Sequence, residues 1–500
     1  MSNHFKIIVP FYNVEEWIGK CIKSVQLQNH ENFQCILVDD MSTDDSYENA
    51  KNMIASDDRF LLVKNKQKKY ALKNIFDAII LSGTDEDDII IPLDGDDWLS
   101  NKRVLSILSE KYRHKKCLMT YGSYIEYPSL QKGNFCKPIQ EQTIKENTYR
   151  KERWVSSHLR TFKRHLWNNI NIEDLEDENG EFYRMTWDMA FMFPMLEMSG
   201  PLALHIPDIL YIYNRKNPLN DDKVDHRLQL ETEVKIREKR AYKQNFATCE
   251  IVGGLGNQLF CVASALAYSL ENNKHPLFPA ISTNTSCAKY AHKFYKNLNY
   301  GLDLNIYHNT YREKKFSYDP IPFMDGNIKL AGYFQSFKYF ETHKEEIFEM
   351  LNIGNIKKDV RKKYGDYSNL VSLHVRRGDY LKLSHYHHNL DIDYYKRAVN
   401  IIGPELRFVV FSDDIEWCKK NFNFIKNVTY HNPLDSHDYE DMMLMASCRH
   451  NIIANSSFSW WGAFINSSED KIVVAPKRWF GPNYKDKDTK DLYCDGWKIL

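Results

Sequence analysis

Two short segments carry side chains whose types and spacing suit chemistry on a diphosphate. In LDGDDW, Asp94 and Asp96 follow an apolar run, and residues two apart in an extended chain point the same way. They are expected to share one divalent ion, Mn²⁺ or Mg²⁺, which completes its shell with phosphate oxygens. In HVRRGDY, Arg376 and Arg377 leave another strand end together, and their guanidinium groups suit phosphate. Each segment therefore predicts a site for an anionic ligand.

Both segments also have an interpretation that needs no ligand. The acidic residues, together with Asp97, could form a turn that caps a helix near Ser100. A surface ion pair between Arg377 and Asp379 could account for the second segment. When each segment is taken alone, both interpretations stay open.

The first hundred residues predict an α/β domain that would position the acidic segment. Apolar runs typical of buried parallel strands occupy residues 5–11, 34–40, 59–65 and 87–97. Residues 15–28 are typical of an amphipathic helix, whose apolar face comprises Trp17, Cys21, Ile22 and Val25. Thr43 is expected to be the N-cap of a second helix.

The second half predicts another α/β domain. A polar stretch from about Arg215 to Asn245 indicates a domain boundary, so the expected domains are residues 1–243 and 244–500. The alternation then starts again with ATCEIVGGLGNQLF, and further strands are predicted in NLVSLHVRR, LRFVVFSDD, NIIANSS and KIVVAP. Helices are expected to begin at Ile415, Asp438 and Ser457. One site is expected at the carboxyl edge of each sheet.

Composition excludes several classes of partner. The 67 Lys and Arg residues balance 67 Asp and Glu residues, so no overall field attracts nucleic acid or an anionic membrane. The sequence has no membrane-spanning apolar stretch and no export signal pattern at its start, which predicts a cytoplasmic protein with at most peripheral membrane contact. Ten scattered cysteines without CxxC pairs indicate reduced core thiols rather than a zinc site.

The first half resembles glycosyltransferase family 2, the inverting enzymes of the nucleotide-diphospho-sugar (GT-A) fold. The resemblance rests on VPFYN, VDDMSTD and LDGDDW, in that order and at those separations, over roughly residues 1–215. It implies a UDP-sugar donor, with Asp94 on the ribose side and Asp96 as the metal ligand. The other residues that it places at the sugar-nucleotide donor are Pro10, Asp39, Asp40, Asn65 and Asn74. Lys66 departs from the family, which usually has glycine there.

The resemblance also implies a general base, Asp188 in RMTWDMAF, where Trp187 replaces the usual preceding glutamate. A carboxylate can take the proton that an attacking sugar hydroxyl loses, while a metal stabilises the departing diphosphate. The alternative is that Asp188 caps the start of a helix beside a buried Trp187. A glycosidase would need its two carboxylates on either side of a glycosidic bond, with no metal motif at a strand end.

The second half resembles glycosyltransferase family 11, the α-1,2-fucosyltransferases. The resemblance rests on GGLGNQLF, HVRRGDY, FSDD and NSSFSWWGAF, spread over residues 246–500. It implies a two-lobed GT-B fold and inverting transfer of L-fucose from GDP-β-L-fucose without a metal. Arg377 would balance the charge of the leaving GDP, with Arg376 beside it, and His374 and Asp379 are the candidate bases, either of which could instead be structural.

The same resemblance places further residues of the second half around the donor and the acceptor. Asp413 and Asp414 would lie near guanine and ribose, and the helix start with Asn455, Ser456 and Ser457 suits phosphate. The residues that would face the acceptor cleft are Gly254, Gly256, Asn257 and Gln258. Trp460 and Trp461 are expected to be core residues rather than sugar platforms.

Together the two resemblances predict a bifunctional glycosyltransferase. The first half would add a hexose, expected to be galactose, to an oligosaccharide, glycolipid or glycoprotein acceptor, and the second would add fucose to the 2-hydroxyl of that hexose. Two alternatives stay open. In the first, only the fucosyltransferase is active and the first half binds the acceptor or serves assembly. In the second, the whole chain is a lectin-like sugar-binding protein.

Overall fold

The computed structural model describes residues 3–115, 117–279, 281, 286–302, 308–431 and 437–500. It divides into two compact units, Met1–Gln244 and Asn245–Leu500. Each unit is built from alternating strands and helices, which confirms the α/β class expected from the apolar runs.

The amino-terminal unit is built on one mixed eight-stranded sheet of order β3-β2-β1-β4-β7-β6-β8-β5. Its strands are β1 Phe5–Phe11, β2 Phe33–Asp39, β3 Phe60–Lys64, β4 Ile89–Pro92, β5 Trp98–Leu99, β6 Met119–Tyr127, β7 Thr161–Lys163 and β8 Ala203–Asn214. Its helices are α1 Ile18–Gln26, α2 Ser46–Ile54, α3 Tyr70–Leu81, α4 Val104–Lys115, α5 Glu141–Glu146, α6 Arg164–Asn168, α7 Trp187–Ser199, α8 Asp221–Val224 and α9 His226–Glu238.

Four parallel strands at one side of this sheet position the acidic segment. Strand β1 pairs in parallel with β2 and β4, and β2 with β3, so their carboxyl ends share one edge. All seven residues of β1 are buried, as expected for a strand covered on both faces. The polar residues that follow β1, β2 and β4 therefore meet at that edge.

One expectation for this unit is wrong, and a polar stretch turns out to be helical. Thr43 does not cap α2, which begins at Ser46; the Thr43 backbone N–H and hydroxyl instead donate to Asn13 Oδ1 at 2.8 and 3.3 Å. The polar stretch after Arg215 forms α8 and α9, and the division between the units lies near its end, at Gln244, close to the boundary expected near residue 243. Helix α9 buries only Thr232 and Ile236, a stripe too narrow to mark a helix by its apolar pattern.

The carboxyl-terminal unit contains two parallel sheets, a four-stranded one of order β10-β9-β14-β13 and a six-stranded one of order β17-β16-β15-β18-β19-β20, and a parallel pair, β11-β12. The strands are β9 Phe246–Cys249, β10 His275–Pro276, β11 Phe278–Pro279, β12 Tyr300–Leu302, β13 Asn309–Arg312, β14 Ile328–Ala331, β15 Val371–Val375, β16 Phe408–Ser412, β17 Val428–Tyr430, β18 His450–Ile452, β19 Val473–Ala475 and β20 Lys498–Ile499.

The helices of this unit are α10 Leu255–Glu271, α11 Lys344–Met350, α12 Ile353–Tyr364, α13 Gly378–Lys382, α14 Ile392–Ile402, α15 Ile415–Asn421, α16 Asp438–Met445 and α17 Ser457–Ile465. Three of them begin at the predicted residues Ile415, Asp438 and Ser457. Trp460 and Trp461 are fully buried, which confirms that they are core residues.

The structure places most of the cysteines in the core. None of the ten cysteines, all of which lie in the described ranges, forms a disulfide, and nine of them are buried, as predicted for core residues. Within the described ranges, none of the helices combines the length and the apolar character needed to cross a bilayer.

Candidate functional sites

A cavity of about 1050 Å³ lies at the carboxyl ends of β1 and β4 in the amino-terminal unit. It brings together six of the residues predicted for the first site: Pro10, Asp40, Asn74, Asp94, Asp96 and Asp188. Its volume is at the upper end of the range of ligand-binding pockets, which suits a nucleotide-sugar together with an acceptor.

The three acids of LDGDDW have different surroundings. Asp97 is 1% exposed and accepts hydrogen bonds from Tyr211 Oη and Asn214 N, both at 2.6 Å, so it supports the fold. Asp96 accepts from Asn217 Nδ2 at 2.7 Å, and its burial, with the charge of Asp94, raises its pKa to about 6. Asp94 and Asp96 therefore concentrate negative charge in the cavity wall.

The oxygen ligands present fit a divalent cation. Hard cations such as Mg²⁺ and Mn²⁺ are commonly bound by one or two carboxylates, with phosphate and water completing the shell. Among the residues that the structure describes, no group of three or more His, Cys, Asp and Glu side chains forms a complete metal site. Asp94 and Asp96 would thus supply two ligands and leave the others to the substrate.

Asp40 organises the loop that leads into α3. It accepts hydrogen bonds from the backbone N–H groups of Lys69 and Tyr70, both at 2.8 Å, and from Asn65 Nδ2 at 2.9 Å. Asn65 also donates to Asn74 Oδ1 at 2.7 Å. Asn65 is not among the residues that line the cavity, in contrast to the expectation of a direct donor contact, and it acts through Asp40 and Asn74.

Asp39 also differs from its predicted place. Its side chain is fully buried, and its Oδ1 accepts from Ser42 N at 3.0 Å, so it shapes the turn after β2 and is not among the residues that line the cavity. Adjacent acids at a strand end point to opposite faces, which explains why Asp40 reaches the cavity and Asp39 does not.

Asp188 lies in the first turn of α7, which agrees with the helix-cap interpretation. It also lines the cavity, which agrees with the general-base interpretation. Its Oδ2 accepts from Arg160 Nη2 at 2.5 Å, and Arg160 is 5% exposed. The guanidinium group fixes the orientation of the carboxylate. Trp187, which precedes it, is buried as expected.

Several residues of the cavity were not predicted from the sequence. His158 stacks on Tyr211, with ring centroids 4.5 Å apart, and its Nε2 lies 3.7 Å from Asp94 Oδ2. Burial and the charge of Arg160 lower the pKa of His158. The cavity is also lined by the cations Lys68, Arg153 and Arg184. These residues come from irregular segments, where neither periodicity nor motif spacing indicates which side chains converge.

In the carboxyl-terminal unit, the arginines of HVRRGDY follow β15 and meet acids that follow the neighbouring β16. Arg376 contacts Asp379 at 2.7 Å and Asp413 at 3.0 Å. Arg377 contacts Asp414 at 3.2 Å, and its guanidinium carbon lies 3.9 Å from the centre of the Trp417 ring. The ion pair to Asp379 is therefore made by Arg376, not by Arg377 as the alternative interpretation had it.

The two candidate bases of this unit have different environments. His374 lies within β15 and is 5% exposed, and burial lowers its pKa to about 3. A neutral imidazole with so low a pKa is a weak base at neutral pH. Asp379 is exposed in the first turn of α13, where it pairs with Arg376.

Helices α10 and α17 begin next to each other. At Gly256, a side-chain Cβ would lie 2.4 Å from the Ser457 carbonyl carbon, so only glycine permits this approach. Asn257 Oδ1 accepts from Ser457 Oγ at 2.6 Å and from Gln335 Nε2 at 2.7 Å. Gly254 is the exposed N-cap residue of α10. Two helix N-termini together favour an anion.

Three other residues predicted for this region have their side chains committed to the fold. Gln258 was expected to face the acceptor cleft. It is instead fully buried, and it donates a hydrogen bond to Gly253 O at 2.8 Å. Asn455 is 1% exposed and donates to His388 O and Trp479 O, both at 2.8 Å. Ser456 caps α17 through the Phe458 N–H.

Comparison with known proteins assigns both halves. Residues 220–500 match the profile of Glycosyl transferase family 11, and residues 6–167 match that of Glycosyl transferase family 2. An α-1,2-colitosyltransferase of Escherichia coli is 31% identical over 278 residues, 47% of this chain and 93% of that protein. The O-antigen biosynthesis glycosyltransferase WbnK of Escherichia coli is 39% identical over 180 residues, 33% of this chain and 60% of that protein.

A more distant relative has a mammalian source. The galactoside α-(1,2)-fucosyltransferase 2 of Oryctolagus cuniculus is 23% identical over 248 residues, 45% of this chain and 69% of that protein. The relatives and the family profiles together identify a glycosyltransferase, and the sheet of the amino-terminal unit is GT-A-like.

Proposed function

The chain belongs to glycosyltransferase family 11 and carries a family 2 domain ahead of it, and from this premise we propose that it is a bifunctional inverting glycosyltransferase. The amino-terminal unit transfers a hexose from a UDP-sugar with a divalent cation. The carboxyl-terminal unit, which we propose to be GT-B-like, transfers L-fucose from GDP-fucose in α-1,2 linkage, with galactose as the acceptor residue. The main support is that each unit holds its own set of groups for a diphosphate.

In the amino-terminal unit, Asp94 and Asp96 would hold Mn²⁺ or Mg²⁺. The cation would neutralise charge on the departing diphosphate. Asp188 accepts the proton of the attacking hydroxyl, and Arg160 keeps its carboxylate in place for that transfer. Asp40 and Asn74 form the side of the cavity that receives the nucleoside. Transfer on the face opposite to the leaving group inverts the anomeric configuration.

In the carboxyl-terminal unit, Arg377 and Arg376 take the role that a metal has in the first. Their carboxylate partners Asp413 and Asp414 balance them until a diphosphate enters, when the ion pairs rearrange around guanine, ribose and phosphate. The N-terminus of α17, with Ser457, adds positive potential. We assign the base role to Asp379 because it is exposed, whereas His374 is buried and weakly basic.

One relative favours a different donor sugar for the carboxyl-terminal unit. The protein named α-1,2-colitosyltransferase is similar to this chain over 93% of its length. Colitose is fucose without its 3-hydroxyl group, so a small change in the sugar pocket would exchange the two. GDP-colitose is therefore the alternative donor for the carboxyl-terminal unit.

Linking the two units in one chain has a kinetic advantage. If the glycan product of the first unit is the acceptor of the second unit, that product has a raised effective concentration near the second site for as long as it stays close to the protein. The alternative of an inactive first unit is disfavoured by the cavity, because Asp94, Asp96 and Asp188 all line it.

The proposal is tested by giving the full chain UDP-hexoses and GDP-sugars separately, each with an oligosaccharide acceptor and Mn²⁺. We expect Asp96→Asn to abolish only UDP release and Arg377→Ala to abolish only GDP release, so each variant is the control for the other. Loss of both activities in either variant, with folding intact by circular dichroism, would contradict two independent sites. Faster transfer from GDP-colitose than from GDP-fucose would select the alternative sugar.

A further inference from the structure

A second, smaller cavity of about 220 Å³ adjoins the large one in the amino-terminal unit. Asn134, Arg153 and Trp154 line both cavities, so a ligand can extend from one into the other. The small cavity has room for about one sugar ring. None of the roles derived above for the sugar-nucleotide or for the base uses it.

The wall of the small cavity suits a sugar. The Trp154 ring packs edge-on against Phe193 at a centroid distance of 5.3 Å and offers an aromatic surface, while Ile139 adds apolar area. Apolar rings combined with a few placed polar groups are typical of carbohydrate-sized pockets. Gln140 and Thr143 supply polar atoms to the same wall.

Tyr149 provides the group that most directly indicates a ligand. It lines the small cavity and is 4% exposed, and its hydroxyl has no hydrogen-bond partner among the described residues. Burial raises the pKa of Tyr149 above its usual value, so the hydroxyl stays protonated and able to donate. A buried hydroxyl without a partner costs free energy, and a sugar hydroxyl would supply the missing partner.

We propose that the small cavity binds the sugar residue next to the terminal residue of the acceptor, with the Tyr149 hydroxyl as its hydrogen-bond donor. This inference rests on the proposed hexose transfer by the amino-terminal unit and specifies its acceptor class. The terminal residue then lies beside Asp188 in the large cavity, and the acceptor is a disaccharide or a longer glycan.

The test uses isothermal titration of the full chain with UDP and Mn²⁺ present. The probes are lactose, N-acetyllactosamine, cellobiose and chitobiose, each compared with the methyl glycoside of its non-reducing residue. For the best pair, we expect the disaccharide to bind about tenfold more tightly than the methyl glycoside, and Tyr149→Phe to reduce that preference by about three- to tenfold. Because the carboxyl-terminal unit also binds sugars in our proposal, the change caused by Tyr149→Phe is the decisive quantity.

Tyr112→Phe is the matched control. The Tyr112 hydroxyl is paired with Thr161 Oγ1 at 2.8 Å and lies outside both cavities, so this variant is expected to lower the melting temperature without changing the preference. A second variant, Trp154→Leu, should also weaken the preference. The inference is overturned if no disaccharide is preferred or if Tyr149→Phe keeps the preference unchanged.

The failure of this inference can be distinguished from failure of the proposed function. Hexose transfer is measured in parallel on the same disaccharides and methyl glycosides. Equal transfer to both members of every pair would reject the subsite and keep the activity. A Tyr149-dependent preference without transfer from any UDP-sugar would keep the subsite and reject the activity.

Discussion

The two units differ in how they would neutralise a diphosphate. In the amino-terminal unit, Asp94 and Asp96 lie in one cavity wall, and the pKa of Asp96 is raised by its burial and, to a smaller extent, by the charge of Asp94. In the carboxyl-terminal unit, Arg376 and Arg377 already have carboxylate partners in Asp413 and Asp414. In our proposal the carboxylates Asp94 and Asp96 bind a divalent cation that enters with the ligand, whereas the arginines of the second site must exchange their carboxylate partners for the phosphate oxygens.

The largest effect is expected from the proposed base. Asp188→Asn keeps the size of the side chain and its contact with Arg160, but removes the negative charge that accepts the proton. Hexose transfer should fall about 10²- to 10⁴-fold while fucose transfer is unchanged. Both transfer rates are measured on the same protein sample, one with UDP-hexose and one with GDP-fucose. An equal loss of hexose transfer and fucose transfer would show that the variant acts through folding.

Arg377→Lys tests whether the second site needs a guanidinium group or only a positive charge. Lysine keeps the charge but loses the planar fork and the packing on Trp417, so fucose transfer should fall about tenfold while hexose transfer is unchanged. The matched control is Arg397→Lys on α14, which contacts the backbone oxygen of Asp393 and should leave both activities near their original values. If Arg377→Lys kept full fucose transfer, the planar guanidinium group of Arg377 would have no role in the transfer.

A smaller effect, on stability rather than chemistry, is expected at the meeting of α10 and α17. Gly256→Ala would force a Cβ against the Ser457 backbone and should lower the free energy of unfolding by about 1–3 kcal/mol. Gly254→Ala, where nothing lies within 4 Å of the new Cβ, should change it by no more than about 0.5 kcal/mol. Urea unfolding followed by tryptophan fluorescence compares them, and equal stability of the two variants would contradict the close approach of the helices.

Much of the fold could be predicted because buried parallel strands require continuous apolar runs. The runs around Ile7, Ile36 and Ile90 became β1, β2 and β4, whose ends place the predicted acids at one edge. Helix α9 was missed because only two of its residues are buried, and Thr43 was misplaced because its partner, Asn13, is distant in sequence.

The details of the sites depended on contacts between distant residues. LDGDDW could not indicate that Asp97 is structural, since that depends on Tyr211, more than a hundred residues away. In the same way, Arg160 and His158 reach the cavity only through the tertiary fold. Gln258 was assigned to a cleft by its motif, but its position in α10 faces the core.

Removing divalent cations from the full chain tests the comparison between the units most directly. After treatment with EDTA, release of UDP and of GDP is measured in one reaction that contains both sugar-nucleotides and an acceptor. We predict that UDP release stops and returns with added Mn²⁺, while GDP release continues at its original rate. Continued UDP release, or loss of both activities, would contradict the account.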